Sequence, residues 1–138
     1  MAHIHPRADE TFIVRSGQLQ VSIDGTVHDL RPGETITVPR GKPHFFRNAH
    51  DSETVIVVRF TPAQRQLRFF LNFATLAQNH PEWFGSKGEP SFLLMALTLH
   101  TYRDHFYLAG PPVWVQKALF AALAPLARLC GYRVIVRP

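Results

Sequence analysis

Cysteine is almost absent from this chain: Cys130 is the single one in 138 residues. No intrachain disulfide can staple the fold, and the chain suits a reducing compartment, so a cytoplasmic location is expected. Cys130 precedes Gly131 in an apolar stretch, which predicts a buried structural thiol. Long hydrophobic runs are missing as well. The longest near the C-terminus, Ala118 to Ala127, has ten residues between Lys117 and Arg128, half of what a helical membrane span needs. An in-plane membrane helix would need a strongly charged face, which this segment lacks. A signal peptide is not expected, because the first candidate functional residue is His3. Acidic residues stop at Asp104, while Lys117, Arg128, Arg133 and Arg137 follow, and the net charge is +5. With no compact Lys/Arg run and no nucleic-acid motif, this excess reads as a solvated basic face, and no nucleic-acid partner is expected.

What remains is the composition of a globular domain, 46% hydrophobic and 18% charged, at a length that supports one core. Strand patterns run over 11–15, 19–23, 27–30, 35–38, 45–47 and 54–60. Leu19, Val21 and Ile23 alternate with Gln18, Gln20 and Ser22, the period of a half-buried strand. Asp24-Gly25 between two such runs is a hairpin signal, and Arg31-Pro32-Gly33-Glu34, Pro39-Arg40-Gly41 and Asn48-Ala49-His50-Asp51 are further turns. Six strands with no helices between them argue for an antiparallel barrel or sandwich. After Thr61-Pro62 the period changes. Leu67, Phe70, Leu71, Phe73, Ala74 and Ala77 fall at helical spacing over 63–78, ended by His80-Pro81. A second helix is predicted over 92–108, with Phe92, Met95, Leu99, Tyr102 and Phe106 on one stripe. A third spans 113–129, kinked at Pro125 and capped by Gly131. It is apolar almost all round, so burial on every side is expected. The tail 132–136 has strand character.

Eight histidines are present; three of them carry a pattern. His3, His5, Glu10 and Gly17 read H-x-H-x4-E-x6-G, and Gly33, Pro39, Gly41, His44 and Asn48 read G-x5-P-x-G-x2-H-x3-N. Two residues apart on a strand, His3 and His5 share a face. Glu10 is an odd number of residues beyond His5, so a bend over 6–9 must bring it round. Imidazole and carboxylate together suit a divalent Fe, Mn, Ni, Cu or Zn ion. His28, His50, His80, His100 and His105 match no motif.

These two motifs resemble those of the cupin superfamily, over roughly residues 3 to 60. The resemblance implies a mainly β fold with C-terminal α: a cupin-type antiparallel β-barrel (jelly roll) over 1–61. About three helices follow, in an extension over 62–138 that packs on the barrel or on a second subunit. Carried over by position, His3, His5, Glu10 and His44 would be metal ligands, and Gly17, Gly33, Gly41, Pro39 and Asn48 turn and packing positions. The family's first motif begins with a glycine six residues before the H-x-H, where this chain has only Met1 and Ala2. The barrel is therefore expected to be short at its N-terminus, with an unpaired edge. A second subunit, residues 134–136, or a start upstream of Met1 would each resolve it. His3, near a free end, is either held by its strand or frayed.

For function, the resemblance implies a metal-dependent enzyme of dioxygenase or isomerase type acting on a small molecule. The alternative is a non-catalytic small-ligand-binding or sensory module. Phe12, Phe45, Phe46 and Phe60 line an apolar pocket or simply fill the core. The open edge and the apolar third helix both need a partner surface, which predicts a homodimer.

Overall fold

The computed structural model describes residues 1–137. It divides into two compact units, Met1–Gln64 with His105–Gly110, and Arg65–Asp104 with Pro111–Pro138.

The first unit is built of two antiparallel sheets. The strands are β1 (His3–Ile4), β2 (Asp9–Ser16), β3 (Leu19–Ile23), β4 (Thr26–Leu30), β5 (Thr35–Val38), β6 (His44–Arg47), β7 (Val55–Thr61) and β8 (Tyr107–Leu108). One sheet has the order β4-β3-β6-β1-β8, the other β5-β2-β7. The β architecture and its turns are those expected, but the strands form two separate ladders rather than a closed barrel. Alternation on β2 buries Glu10, Phe12 and Val14 and leaves Thr11 and Ile13 half-buried, so the pattern that builds the core also turns Glu10 inward. Phe12 and Val14 meet Leu19, Val21, Leu30 and Val38 from β3, β4 and β5 in one cluster. Phe12, fully buried, is core rather than pocket lining, and truncating it to alanine should cost about 3–5 kcal/mol.

The edge beside β1 is occupied by β8, with His3 opposite Leu108 and Ile4 opposite Tyr107. This corrects two expectations. The second helix ends at Thr101 rather than at 108, because Phe106, Tyr107 and Leu108 suit a strand and find one to pair with. Residues 134–136 form no strand. Their backbone is held instead by the buried Asn72, whose Oδ1 accepts the Ile135 and Val136 N–H groups at 2.9 and 3.2 Å. As an outer strand of two residues, β8 offers little backbone for unwanted pairing.

The second unit holds α1 (Gln66–Asn79), α2 (Phe92–Thr101) and α3 (Val113–Leu129). His80-Pro81 ends α1 as expected. Its buried residues are Gln66, Phe69, Asn72 and Leu76, one step round from the apolar stripe read in the sequence, so Leu67, Phe70 and Leu71 are exposed. α3 is likewise not buried all round. Gln116, Phe120, Ala124 and Ala127 face inward, while Trp114 and Leu129 are 73% and 86% exposed. Packing sites for one helix cover only one stripe of it. The small Ala124 and Ala127 on that stripe let α3 approach Leu97 of α2 closely. Gly131 caps α3 as expected: its N–H bonds the Arg128 carbonyl and the Tyr132 N–H bonds that of Ala127, both at 3.0 Å, which requires the positive φ of +89° that glycine adopts without strain. Cys130, at this cap, is exposed rather than buried, because the helix end that carries it turns to solvent beside Leu129. No helix among the described residues is long and apolar enough to cross a membrane.

Candidate metal centre

The chain passes from the five-stranded sheet (β1) to the three-stranded sheet (β2) between Ile4 and Asp9. His3 and His5 therefore come from one side and Glu10 from the other, which resolves their odd spacing. Glu10 is oriented by its neighbour Asp9, whose carboxylate accepts the Arg40 backbone N–H at 2.8 Å and the guanidinium Nε–H at 3.1 Å. With Asp9 tied outward to the Pro39–Gly41 turn, Glu10 must point in. The same turn fixes His5, whose carbonyl accepts the Gly41 N–H at 2.9 Å. His44 opens β6, with its Cα directly opposite that of His3.

The four side chains converge. Each offers one ligand atom, and these atoms lie within 4.8 Å of one another. All four residues are buried, Glu10 at 1% and His3 at 8% exposure. His3 sits between β6 and β8, held by its strand rather than frayed. Every imidazole is anchored through Nδ1 to a backbone carbonyl: His44 to Lys42 at 2.8 Å, His5 to His105 at 2.7 Å and His3 to Met1 at 3.2 Å. An Nδ1–H that donates to a carbonyl leaves Nε2 as the lone-pair nitrogen, the tautomer that second-sphere partners impose on metal-bound histidines. The Nε2 atom of His5 is buried without a hydrogen-bond partner, 3.5 Å from Glu10 Oε2. That of His44 lies 2.7 Å from the same oxygen. A lone-pair nitrogen and a carboxylate cannot share so short a contact without a cation between them or a proton on the nitrogen. The donor set thus fits a divalent ion: three aimed nitrogens and one carboxylate, with an orphaned acceptor among them.

Electrostatics agree. Burial pulls His3 down to about 4, with the neighbouring His44 adding to the effect. Burial would raise the Glu10 carboxyl, but contact with His44 and His5 outweighs it and holds the group at about 2. At neutral pH, His3 is therefore neutral and Glu10 ionised, the forms that bind metal. Both groups titrate below their ordinary values of 6.5 and 4.5, so the unfolded chain takes up protons first. Stability of the metal-free protein is expected to fall as pH drops from 6.5 to 4 through His3, and further from 4.5 to 2 through Glu10. Urea midpoints at about pH 7, 5 and 3 check this, and a midpoint that holds steady or rises on acidification contradicts it.

Aromatic rings enclose the cluster. Phe60 meets His5 edge-on at 5.1 Å, and Phe106 stacks on His3 at 4.6 Å between ring centres, 14° from parallel. Phe46 instead pairs with Phe12. The sequence brought out Phe60 but neither Phe106 nor the carbonyl of His105, because both fell inside the expected second helix. The run of aromatic and apolar residues at 106–108, between Asp104 and Gly110, was the signal for a strand.

Residues 1–60 match the family model described as a cupin domain. Germin-like protein 3-5 of Oryza sativa subsp. japonica is 42% identical over 66 residues, covering 42% of this chain and 29% of the relative. Oxalate oxidase GF-3.8 of Triticum aestivum is 37% identical over 87 residues, 57% of this chain and 38% of the relative. The chain thus spans about a third of the length of these curated relatives. Among solved structures, KdgF from Halomonas sp. overlays with a TM-score of 0.44 at 24% identity, over 49% of this chain and 60% of that one. TT1209 from Thermus thermophilus gives 0.43 at 28% identity, over 44% and 58%. Motif, site geometry and family match fall on the same residues, and the match to a cupin domain spans residues 1–60 of this chain.

Proposed function

We propose that His3, His5, Glu10 and His44 hold one divalent transition metal ion, and that the protein is a small-molecule enzyme of dioxygenase type. The observation that carries this reading is the common anchoring of three imidazoles through Nδ1 in a cluster whose ligand atoms, with the Glu10 carboxylate, lie within 4.8 Å of one another. A bound ion of Fe, Mn, Ni, Cu or Zn would supply Lewis-acid or oxygen chemistry. The chain's own contribution is to fix tautomers, keep Glu10 ionised and exclude water around the cluster. Relatives named as oxalate oxidases support an oxygen-consuming reaction. Oxygen uptake by metal-loaded protein, screened with oxalate, phenols and diketones, is expected to rise above the rate without substrate for one of them. Silence across the set by fully loaded protein would contradict the dioxygenase reading.

One observation favours the second reading, a non-catalytic small-ligand-binding or sensory module. All four candidate ligands are buried, and Phe106 lies flat on His3, so the cluster is closed by the unit's own residues. A tight ligand with no turnover is the result that reading expects.

A homodimer in the cytoplasm completes the proposal. Exposed Leu67, Phe70 and Leu71 on α1, with Trp114, Leu119 and Leu126 on α3, support a partner surface, and the lone cysteine suits a reducing compartment. Light scattering at micromolar concentration is expected to give twice the chain mass. A mass of 15.7 kDa refutes the dimer.

A further inference from the structure

A segment of the chain far from both motifs reaches the cluster. His105–Gly110 belongs to the same compact unit as residues 1–64, although α2 precedes it and α3 follows it. It touches the cluster at three points. The His105 carbonyl accepts a hydrogen bond from His5 Nδ1–H at 2.7 Å, across 100 residues of sequence. The Phe106 ring stacks on His3 at 4.6 Å and stands 5.7 Å from His5, 74° from its plane. β8 then pairs with β1, and the Ala109 N–H donates to the Ala2 carbonyl at 3.0 Å.

We propose that this strap sets the donor geometry of the site: His105 and Phe106 are positioning residues for His5 and His3, and the proposal rests on the metal-binding reading above. The cause is local. β1 has only two residues, too few to orient two imidazoles by its own ladder. The turn at Gly41 holds the main chain of His5 but leaves its ring free to rotate about χ2 and to place the proton on either nitrogen. The His105 carbonyl removes that freedom, because it can only accept, so the ring must present Nδ1–H to it and aim Nε2 inward. Phe106 does the same for His3 by a different contact. The His3 to Met1 hydrogen bond spans two residues at 3.2 Å, and it alone constrains the ring weakly. A flat phenyl face on one side, with His44 at 4.3 Å as a further neighbour, confines the plane of the imidazole and keeps water off it. Two of the four candidate ligands are thus oriented by residues outside both motifs.

Two variants separate this from a purely structural role. Phe106→Ala removes the stacked face, and Ala109→Pro deletes the donor that ties the strap to Ala2; Phe106→Tyr keeps the face and serves as rescue. The first readout needs no metal: the ¹⁵N shifts of the His5 ring in metal-free protein near neutral pH. Wild type is expected to carry its proton on Nδ1, and Ala109→Pro to show a mixture of tautomers. The second is titration with Co(II), followed by the absorption of the bound ion. Phe106→Ala and Ala109→Pro should weaken Co(II) by about 10- to 100-fold, the usual cost of losing a second-sphere partner, with an altered spectrum. Phe106→Tyr should stay within a few-fold of wild type. If Ala109→Pro fails to fold, Phe106→Ala against Phe106→Tyr decides. Wild type with its His5 proton on Nε2 overturns the strap. So do folded variants whose Co(II) affinity and spectrum match wild type. Wild type that shows the Nδ1 proton yet binds no Co(II) overturns the metal reading and leaves the tautomer control standing.

Discussion

His44→Ala is expected to strip the protein of its metal while leaving it folded. His44 supplies one of three aimed nitrogens and touches Glu10 at 2.7 Å, but it lies outside the cluster of Phe12, Val14, Leu19, Val21, Leu30 and Val38 that holds the sheets together. Loss of a direct ligand should weaken metal by more than the roughly 10- to 100-fold typical of second-sphere partners. A thermal melt reads the same difference. At a metal concentration about 100 times the dissociation constant, binding adds about 2.7 kcal/mol to the native state, or a rise of roughly 5–10 °C for a chain of this size. Wild type should show that rise and His44→Ala should not. An equal rise in both would remove His44 from the site.

A large loss of stability should also come from a motif position that offers no metal ligand. Gly17 joins β2 to β3 at a φ of +73°, and a Cβ there would stand 2.3 Å from the Glu53 carbonyl oxygen, 2.6 Å from Thr54 Oγ1 and 2.7 Å from Thr54 Cα. Two of these atoms are backbone. They cannot retreat, because Thr54 Oγ1 is itself bonded to the Gln18 carbonyl at 2.8 Å and takes the Gln18 N–H at 3.2 Å. Gly17→Ala therefore meets both a left-handed backbone, about 1–2 kcal/mol, and a forced shift, about 1–3 kcal/mol. A total loss of about 2–5 kcal/mol is expected in urea denaturation. A loss under about 1 kcal/mol would show that the turn can move, contrary to the packing described. The glycine of the first motif thus serves the close approach of two backbones.

The site was legible in the sequence to the extent that it depends on local spacing. His3 and His5 stand two apart, the Pro39–Gly41 turn precedes His44, and alternation along β2 puts Glu10 on the face of Phe12 and Val14. The odd interval from His5 to Glu10 already required a bend, and the change of sheet between β1 and β2 is that bend. Pairing between distant segments was not legible. The run at 106–108 suits a strand, but nothing in it announces a neighbour at 3–4, and the same residues also fit a helical stripe. The three helices form where expected, but which face of α1 and α3 packs was not legible, for a related reason. On α1 and α3 apolar residues occur on most sides, so the face that packs was chosen by the tertiary fit of Phe69, Leu76, Phe120 and Ala124, not by periodicity. Cys130 and the tail 132–136 followed α3 and its cap to places that composition alone did not fix.

One metal site built from the four buried side chains His3, His5, Glu10 and His44 should hold one ion per chain. Elemental analysis tests it most directly, on protein purified without chelator or added metal and then reconstituted in turn with Fe, Mn, Ni, Cu and Zn. Close to one equivalent of a divalent transition metal per chain is expected for at least one of the five, lost on dialysis against chelator. Wild-type protein that is folded and holds no metal under any of these conditions would contradict it.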